Sequence, residues 1–68
     1  MNKVVEWLKA NADEYHNKDG IYYIIEGNNG DETRFDIGDK YIKAYWANEY
    51  GDELRDLTPE EFTKEYIK

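Results

Sequence analysis

The sequence predicts an α+β fold in which an N-terminal amphipathic helix and a short C-terminal helix flank a three-stranded antiparallel sheet. Apolar residues recur at helical spacing over residues 3–16. Three β-branched and aromatic segments lie between turn signals in residues 20–47, and a helix-capping motif begins at Thr58. The chain has 68 residues, so residues 1–68 are expected to form one small domain.

The first helix is predicted over residues 3–16. At about 100° per residue, its apolar side chains form one stripe: Val4, Val5, Trp7, Leu8, Ala12 and Tyr15. Asn2 is the expected N-cap, and Gly20 is available for the left-handed turn that ends many helices. His16 would then lie at the helix C-terminus, where a positive charge complements the helix dipole.

Three strands are predicted after this helix. The segment "GIYYIIE" (20–26) is rich in β-branched and aromatic residues. The segments "ETRFDI" (32–37) and "KYIKAYWA" (40–47) alternate between two sets of side chains, as strands with one buried face do. Residues 48–57 are predicted to be a loop that holds either a short turn of helix or a brief fourth strand at 53–57.

The second helix is predicted from about residue 59 to 67. Thr58 is its N-cap, a proline occupies the first helical position, and Glu61 completes a capping box. Leu57 and Phe62 stand at the positions of a hydrophobic staple. The predicted core combines the inward residues of all these elements: Val4, Val5, Leu8, Ala12, Ile21, Tyr23, Ile25, Phe35, Ile37, Ile42, Ala44, Trp46, Leu57 and Phe62.

The residue types argue against an enzyme. Serine and cysteine are absent, there is one histidine, and Thr33, Thr58 and Thr63 have no neighbouring general base in the sequence. We therefore expect no catalytic residues and no cofactor. The N-terminal stretch has too short an apolar run for a signal peptide, and no segment approaches a membrane span. The expected location is the cytoplasm.

One spacing resembles part of a calcium-binding loop. If Gly20 is the central glycine of an EF-hand, Asn17, Asp19 and Glu26 fall at ligand positions. Tyr15 would then occupy the first position, where a carboxylate is needed. No metal site is therefore predicted.

Net charge is −7, and much of it is concentrated late in the chain. Residues 48–62 contain six carboxylates and one arginine. Such a balance disfavours direct binding to nucleic acid or to anionic membranes, because both normally require a basic patch. A partner protein with a basic groove fits the charge better.

Two surfaces are candidates for binding such a partner. The first is acidic, with Asp52, Glu53 and Asp56 expected to act together. Its predicted members are Asp31, Glu32, Asp36, Asp39, Glu49, Asp52, Glu53, Asp56, Glu60 and Glu61. The second is an aromatic sheet face, since tyrosine is enriched at binding hot spots. Its predicted members are Tyr22, Tyr41, Lys43, Tyr45 and Tyr50. Alternatively, the C-terminal helix covers this second face, and the tyrosines are not available to a partner.

In size, acidity and lack of catalytic groups the chain resembles phage-encoded inhibitors such as anti-CRISPR, anti-restriction and host-takeover proteins. The resemblance covers the general profile of the chain and rests on no motif. It implies a non-enzymatic DNA mimic that binds a host protein and blocks its nucleic-acid site with carboxylates in place of phosphates. The alternative is a protein-interaction or regulatory module that uses the tyrosine-rich face.

Overall fold

The computed structural model describes residues 1–27, 30–48 and 51–67. The fold is α+β, with two helices and one antiparallel sheet, but the sheet has five strands and not the predicted three. In chain order the elements are α1 (Asn2–Asn11), β1 (Glu14–His16), β2 (Tyr22–Glu26), β3 (Glu32–Ile37), β4 (Ile42–Asn48), β5 (Gly51–Leu57) and α2 (Pro59–Tyr66).

The strands form a simple meander. They lie in the order β1-β2-β3-β4-β5, and each is antiparallel to its neighbour. Strands β1 and β2 connect through a hairpin turn in which Asp19 and Gly20 have φ of 60° and 115°. Gly20 thus serves a hairpin turn and not the end of a helix.

The first helix is shorter than predicted. At Ala12 the backbone is already extended, with φ −73° and ψ 147°. Asp13 is held by the sheet instead: its N–H donates to Ile24 O at 2.9 Å, and its carboxylate accepts from the Glu26 N–H at 2.7 Å. These bonds explain why residues 14–16, predicted as helix, form strand β1. The predicted N-cap is also wrong, since Met1 occupies that position without a side-chain hydrogen bond.

Residues 51–57 form a full strand, where the prediction was a loop that holds either a short turn of helix or a brief fourth strand at 53–57. Gly, Asp and Glu have poor strand propensity, yet β5 pairs with β4 in register from Asn48↔Gly51 to Ile42↔Leu57. Main-chain pairing to a strongly β-forming neighbour outweighs local preference here. Charged side chains are common on edge strands, where they oppose pairing with another sheet.

The C-terminal helix confirms the predicted capping box. The Glu61 N–H donates to Thr58 Oγ1 at 3.1 Å, and the Thr58 N–H donates to Glu61 Oε1 at 3.0 Å. Hydrogen bonding to Thr58, chiefly to its backbone N–H, holds the pKa of Glu61 below its ordinary value.

Both helices pack on the same face of the sheet and form one core with it. Phe62 of α2 makes edge-to-face contacts with Phe35 of β3 and with Trp7 of α1, at 5.4 and 5.6 Å between ring centroids. The buried side chains all belong to the predicted core: Val4, Leu8, Tyr23, Phe35, Ile42, Ala44, Leu57 and Phe62. Ile21 was wrongly placed there, since it lies in the first hairpin turn and is 44% exposed.

The second face of the sheet is not covered by any described residue, because α1 and α2 both lie on the first. No helix in the described part of the chain combines the length and apolar character needed to cross a membrane.

Candidate functional site

The uncovered side of the sheet, which we call the open face, is the largest continuous surface that the strands build. Phe35 and Ala44 are cross-strand partners in the core, so their neighbours Arg34 and Tyr45 point to the opposite side. Alternation assigns the remaining members. The open face consists of Glu14, His16, Tyr22, Ile24, Glu26, Glu32, Arg34, Asp36, Lys43, Tyr45, Asp52, Leu54 and Asp56.

The strand register aligns these residues in three rows across the sheet. The middle row is Glu14, Ile24, Arg34, Tyr45 and Leu54. On one side of it lies the row Glu26, Glu32 and Asp52, and on the other the row His16, Tyr22, Asp36, Lys43 and Asp56. Neighbours within a row are about 4.8 Å apart, and adjacent rows are about 6.6 Å apart.

Carboxylates dominate the two outer rows. The acids Glu26, Glu32 and Asp52 form a first carboxylate line in which no basic residue stands. Asp36 and Asp56 form a second carboxylate line with Lys43 between them. With Glu14 and Arg34 of the middle row included, six carboxylates and two bases leave the open face at −4, more than half of the net −7 of the chain.

Three of these acids crowd together at one corner of the open face. Carboxylate oxygens of Glu14, Glu26 and Glu32 lie within 4.8 Å of one another, and all three residues are exposed. Oxygen ligands of this kind suit hard cations such as Ca²⁺, so these are the described residues that could hold one. The EF-like spacing is not brought together, because Asn17 and Asp19 lie in the first turn and Glu26 at the far end of β2.

A stack of planar groups spans strands β1 to β3. The Arg34 guanidinium lies 3.8 Å above the centre of the Tyr22 ring, and the His16 imidazole stacks on Tyr22 at 4.6 Å with 16° between planes. Arg34 also donates two hydrogen bonds to Asp36, at 2.6 and 3.3 Å, which raise the pKa of the guanidinium. These contacts draw the charge of Arg34 towards the second carboxylate line. His16 thus belongs to the sheet and pairs with Glu14 at 3.1 Å, not with a helix end.

The middle row presents apolar surface between the two carboxylate lines. Leu54 is 58% exposed and Tyr45 is 40% exposed. The Tyr45 hydroxyl donates to Asp52 Oδ2 at 3.1 Å, and this hydrogen bond raises the pKa of the phenol. The bond ties the tyrosine to the first carboxylate line and leaves its ring beside Leu54 in the row.

The predicted acidic surface is only partly assembled. Four of its members lie on the open face: Glu32, Asp36, Asp52 and Asp56. Glu53 faces the other way, beside Trp46, because neighbouring residues of a strand alternate. Of the three acids expected to act together, Asp52 and Asp56 therefore share the open face and Glu53 does not.

The other predicted acids lie elsewhere. Glu60 and Glu61 occupy the first turn of α2, on the helix side of the sheet. Asp31 and Asp39 lie in the turns at opposite ends of β3, and Glu49 lies outside the described residues. Sequence reasoning missed Glu14, Glu26 and Leu54, which strand alternation through residues 14–16, 22–26 and 51–57 would have found.

The aromatic surface is better preserved. Tyr22, Lys43 and Tyr45 share the open face, and Tyr41 directly precedes β4 with 53% of its surface exposed. Tyr50 lies outside the described residues. Because α2 packs on the opposite face, it does not cover these tyrosines. The two predicted surfaces thus overlap on one side of the sheet.

Comparison with known proteins gives no family: no family model matches the chain, and neither does any curated protein or solved structure.

Proposed function

We propose that this protein is a non-enzymatic inhibitor that binds the basic, nucleic-acid-binding surface of another protein through the open face of its sheet. The observation that carries the proposal is the concentration of six carboxylates on one uncovered face, with two bases among them. Inhibition would be steric, since a partner engaged with this face could not hold nucleic acid at the same site.

The spacing of the carboxylates on the open face can be compared with the spacing of phosphates along a duplex. A duplex presents one negative charge for about every 1.7 Å of its axis, and the sheet presents carboxylates on strands about 4.8 Å apart. Glu26 and Glu32 lie on adjacent strands, and Asp52 lies two strands further on. A basic groove would meet them as a short, dense array of fixed charge. Charge complementarity of this kind raises the rate of encounter and disfavours wrong partners.

The composition of the open face also fits a protein partner. Interfaces between proteins commonly have an apolar or aromatic centre and a polar rim. Here Tyr45 and Leu54 lie in the middle row, and the carboxylate lines lie on both sides. Phage-encoded inhibitors of nucleases and restriction enzymes, which the chain resembles in profile, are the class of protein that this function describes.

The test is competition between the protein and nucleic acid for a common partner. The protein is immobilised, partners are captured from cell lysate at about 0.1 M salt, where the Debye length is about 10 Å, and duplex DNA or RNA is then added. We expect nucleic acid to release the captured partner, and the free protein to prevent the purified partner from binding nucleic acid. A ternary complex of protein, partner and nucleic acid would contradict the proposal.

A second candidate function is a regulatory protein-interaction module. It is favoured by the exposure of Tyr41 and Tyr45 on or beside the open face, where Tyr22 is half-buried. Binding would then depend on aromatic contacts and would respond weakly to salt. A partner that binds nucleic acid and this protein at once, with the tyrosines required and the carboxylates not, would support this alternative.

A further inference from the structure

Charge on the open face is arranged as it is across a groove, although the face does not have the depth of one. The middle row contains Ile24, Tyr45 and Leu54, and a carboxylate line lies on each side. We propose, resting on the function proposed above, that the part of the partner seated here is a basic α-helix with an apolar stripe. The open face would hold this helix as the major groove of DNA holds a recognition helix.

The dimensions support a helix as the occupant. Asp52 and Asp56, one from each carboxylate line, lie four residues apart on β5, or about 13 Å at 3.3 Å per residue. The major groove is about 12 Å wide, and an α-helix with its side chains is about 10–12 Å across. From Ile24 to Leu54 the middle row crosses four strands, about 14 Å. That length matches about nine helical residues at 1.5 Å each.

The floor between the lines is apolar even though Arg34 belongs to the row. The guanidinium of Arg34 is turned away over Tyr22 and bound to Asp36, in the direction of the second carboxylate line. Leu54 and Tyr45 supply the most exposed apolar surface of the row. Thymine methyl groups give the major groove an apolar component in the same place, and an apolar stripe on the helix would meet Leu54 and Tyr45.

The two carboxylate lines differ in their balance of acids and bases, so the two sides of the bound helix should differ in importance. The first line has three acids and no base, whereas the second has Lys43 between Asp36 and Asp56 and also receives the Arg34 guanidinium at Asp36. The basic residues that flank the apolar stripe should therefore be more important on the side facing Glu26, Glu32 and Asp52. A second copy of this chain is disfavoured as the occupant, because two faces of −4 would repel.

Two synthetic peptides of identical composition provide the probe. Each has about 18 residues of Leu, Ala and Lys, long enough to form helix. In the stripe peptide an apolar stripe is flanked by Lys on both sides, and in the scrambled peptide the same residues are spread around the helix. At about 0.1 M salt, where charges still act over about 10 Å, we expect the stripe peptide to bind with a Kd at least tenfold lower. Equal binding would overturn the proposal, because charge alone would then explain the attraction.

Two pairs of variants locate the contact. Leu54→Ala should weaken binding of the stripe peptide by about fivefold or more, as loss of a central contact does. Ile21→Ala, which removes another exposed aliphatic side chain, from a turn, should not. Glu26→Gln with Glu32→Gln should weaken binding more than Asp36→Asn with Asp56→Asn. Far-UV circular dichroism checks that all variants are folded.

These outcomes separate the inference from the proposed function. If Leu54→Ala and Ile21→Ala have equal effects, the middle row is not the seat of a helix, even when captured partners still compete with nucleic acid. If the stripe peptide binds through Leu54 but no captured partner is displaced by nucleic acid, the helix site stands and the inhibitor function falls.

Discussion

Gly27 and Gly38 close the turns at opposite ends of β3 with similar hydrogen bonds. The two positions differ in the space that an added Cβ would have. The Gly27 N–H donates to Asp31 O at 2.7 Å, and the Gly38 N–H donates to Tyr41 O at 3.0 Å. A Cβ on Gly27 would lie 3.6 Å from its acceptor, an ordinary contact. A Cβ on Gly38 would lie 2.9 Å from the Tyr41 carbonyl oxygen, so the backbone would have to shift.

We therefore expect Gly38→Ala to lower the free energy of unfolding by about 1–3 kcal/mol, the usual cost of overpacking. Gly27→Ala is the matched control, and it should be neutral or stabilise the fold by up to about 1 kcal/mol through the unfolded chain. Urea unfolding of both variants measures the difference. Equal losses would mean that the β3–β4 turn can relax around the added methyl group.

The hydrogen bonds of the capping box make a second prediction at the residue scale. Thr58→Ala removes the acceptor of the Glu61 N–H and should cost about 1 kcal/mol of unfolding free energy. Thr63→Ala is the control, because the Thr63 hydroxyl only bonds back to Pro59 O within the helix. That change should stay within about 0.5 kcal/mol. A loss at Thr63 as large as the loss at Thr58 would contradict the importance of the cap.

Individual elements show where the sequence was sufficient and where it was not. The second helix was predictable because capping residues act within four positions of one another. Strand β1 was not, because its residues continue the apolar spacing of α1 as far as Tyr15. Only the distant contacts of Asp13 with Ile24 and Glu26 end the helix. Local pattern cannot report hydrogen bonds to residues as distant in the sequence as Ile24 and Glu26 are from Asp13.

Strand β5 illustrates the same limit for the candidate site. Residues 51–57 are polar enough to be predicted as a loop, and their pairing with β4 decides which acids share a face. Once the strand is recognised, alternation places Asp52 and Asp56 on the open face and Glu53 on the other. The supply of charge was predictable from composition, whereas its arrangement required the sheet.

Two aromatic side chains of helix α2, Phe62 and Tyr66, each contact Trp7 of α1 and Phe35 of β3, and Phe62 is the fully buried one. Phe62→Ala should cost about 3–5 kcal/mol. A domain of this length has a total stability of about 3–10 kcal/mol, so this one change should remove a large share of it. Ile21→Ala, at the exposed position predicted to be core, should change stability by less than about 0.5 kcal/mol.

Thermal unfolding followed by circular dichroism compares these two variants. A large loss at Ile21 would favour the core predicted from sequence over the one in the structure. A small loss at Phe62 would mean that α2 is held by other contacts.

At the scale of the whole molecule, charge is distributed asymmetrically between the two faces of the sheet. The helices cover one face of the sheet, and the other face carries −4 of the net −7. Exposed charges contribute little to stability individually, so removing a few of them should leave the fold intact. Their common location on the open face instead predicts a large effect on binding to a basic partner.

The most direct measurement of this claim compares two double variants that each remove two exposed carboxylates. Glu26→Gln with Glu32→Gln changes the open face, and Glu6→Gln with Glu60→Gln changes the helix side. Affinity for the captured partner is measured for both at about 0.1 M and 1 M salt, where the Debye length falls from about 10 to about 3 Å.

We predict that the open-face variant binds at least about tenfold more weakly at low salt, with the difference shrinking at high salt as screening removes it. The helix-side variant should bind within about twofold of the unchanged protein, because its charges lie away from the contact. Equal weakening of both variants, or none in the open-face variant, would contradict the claim that this protein binds through the open face of its sheet.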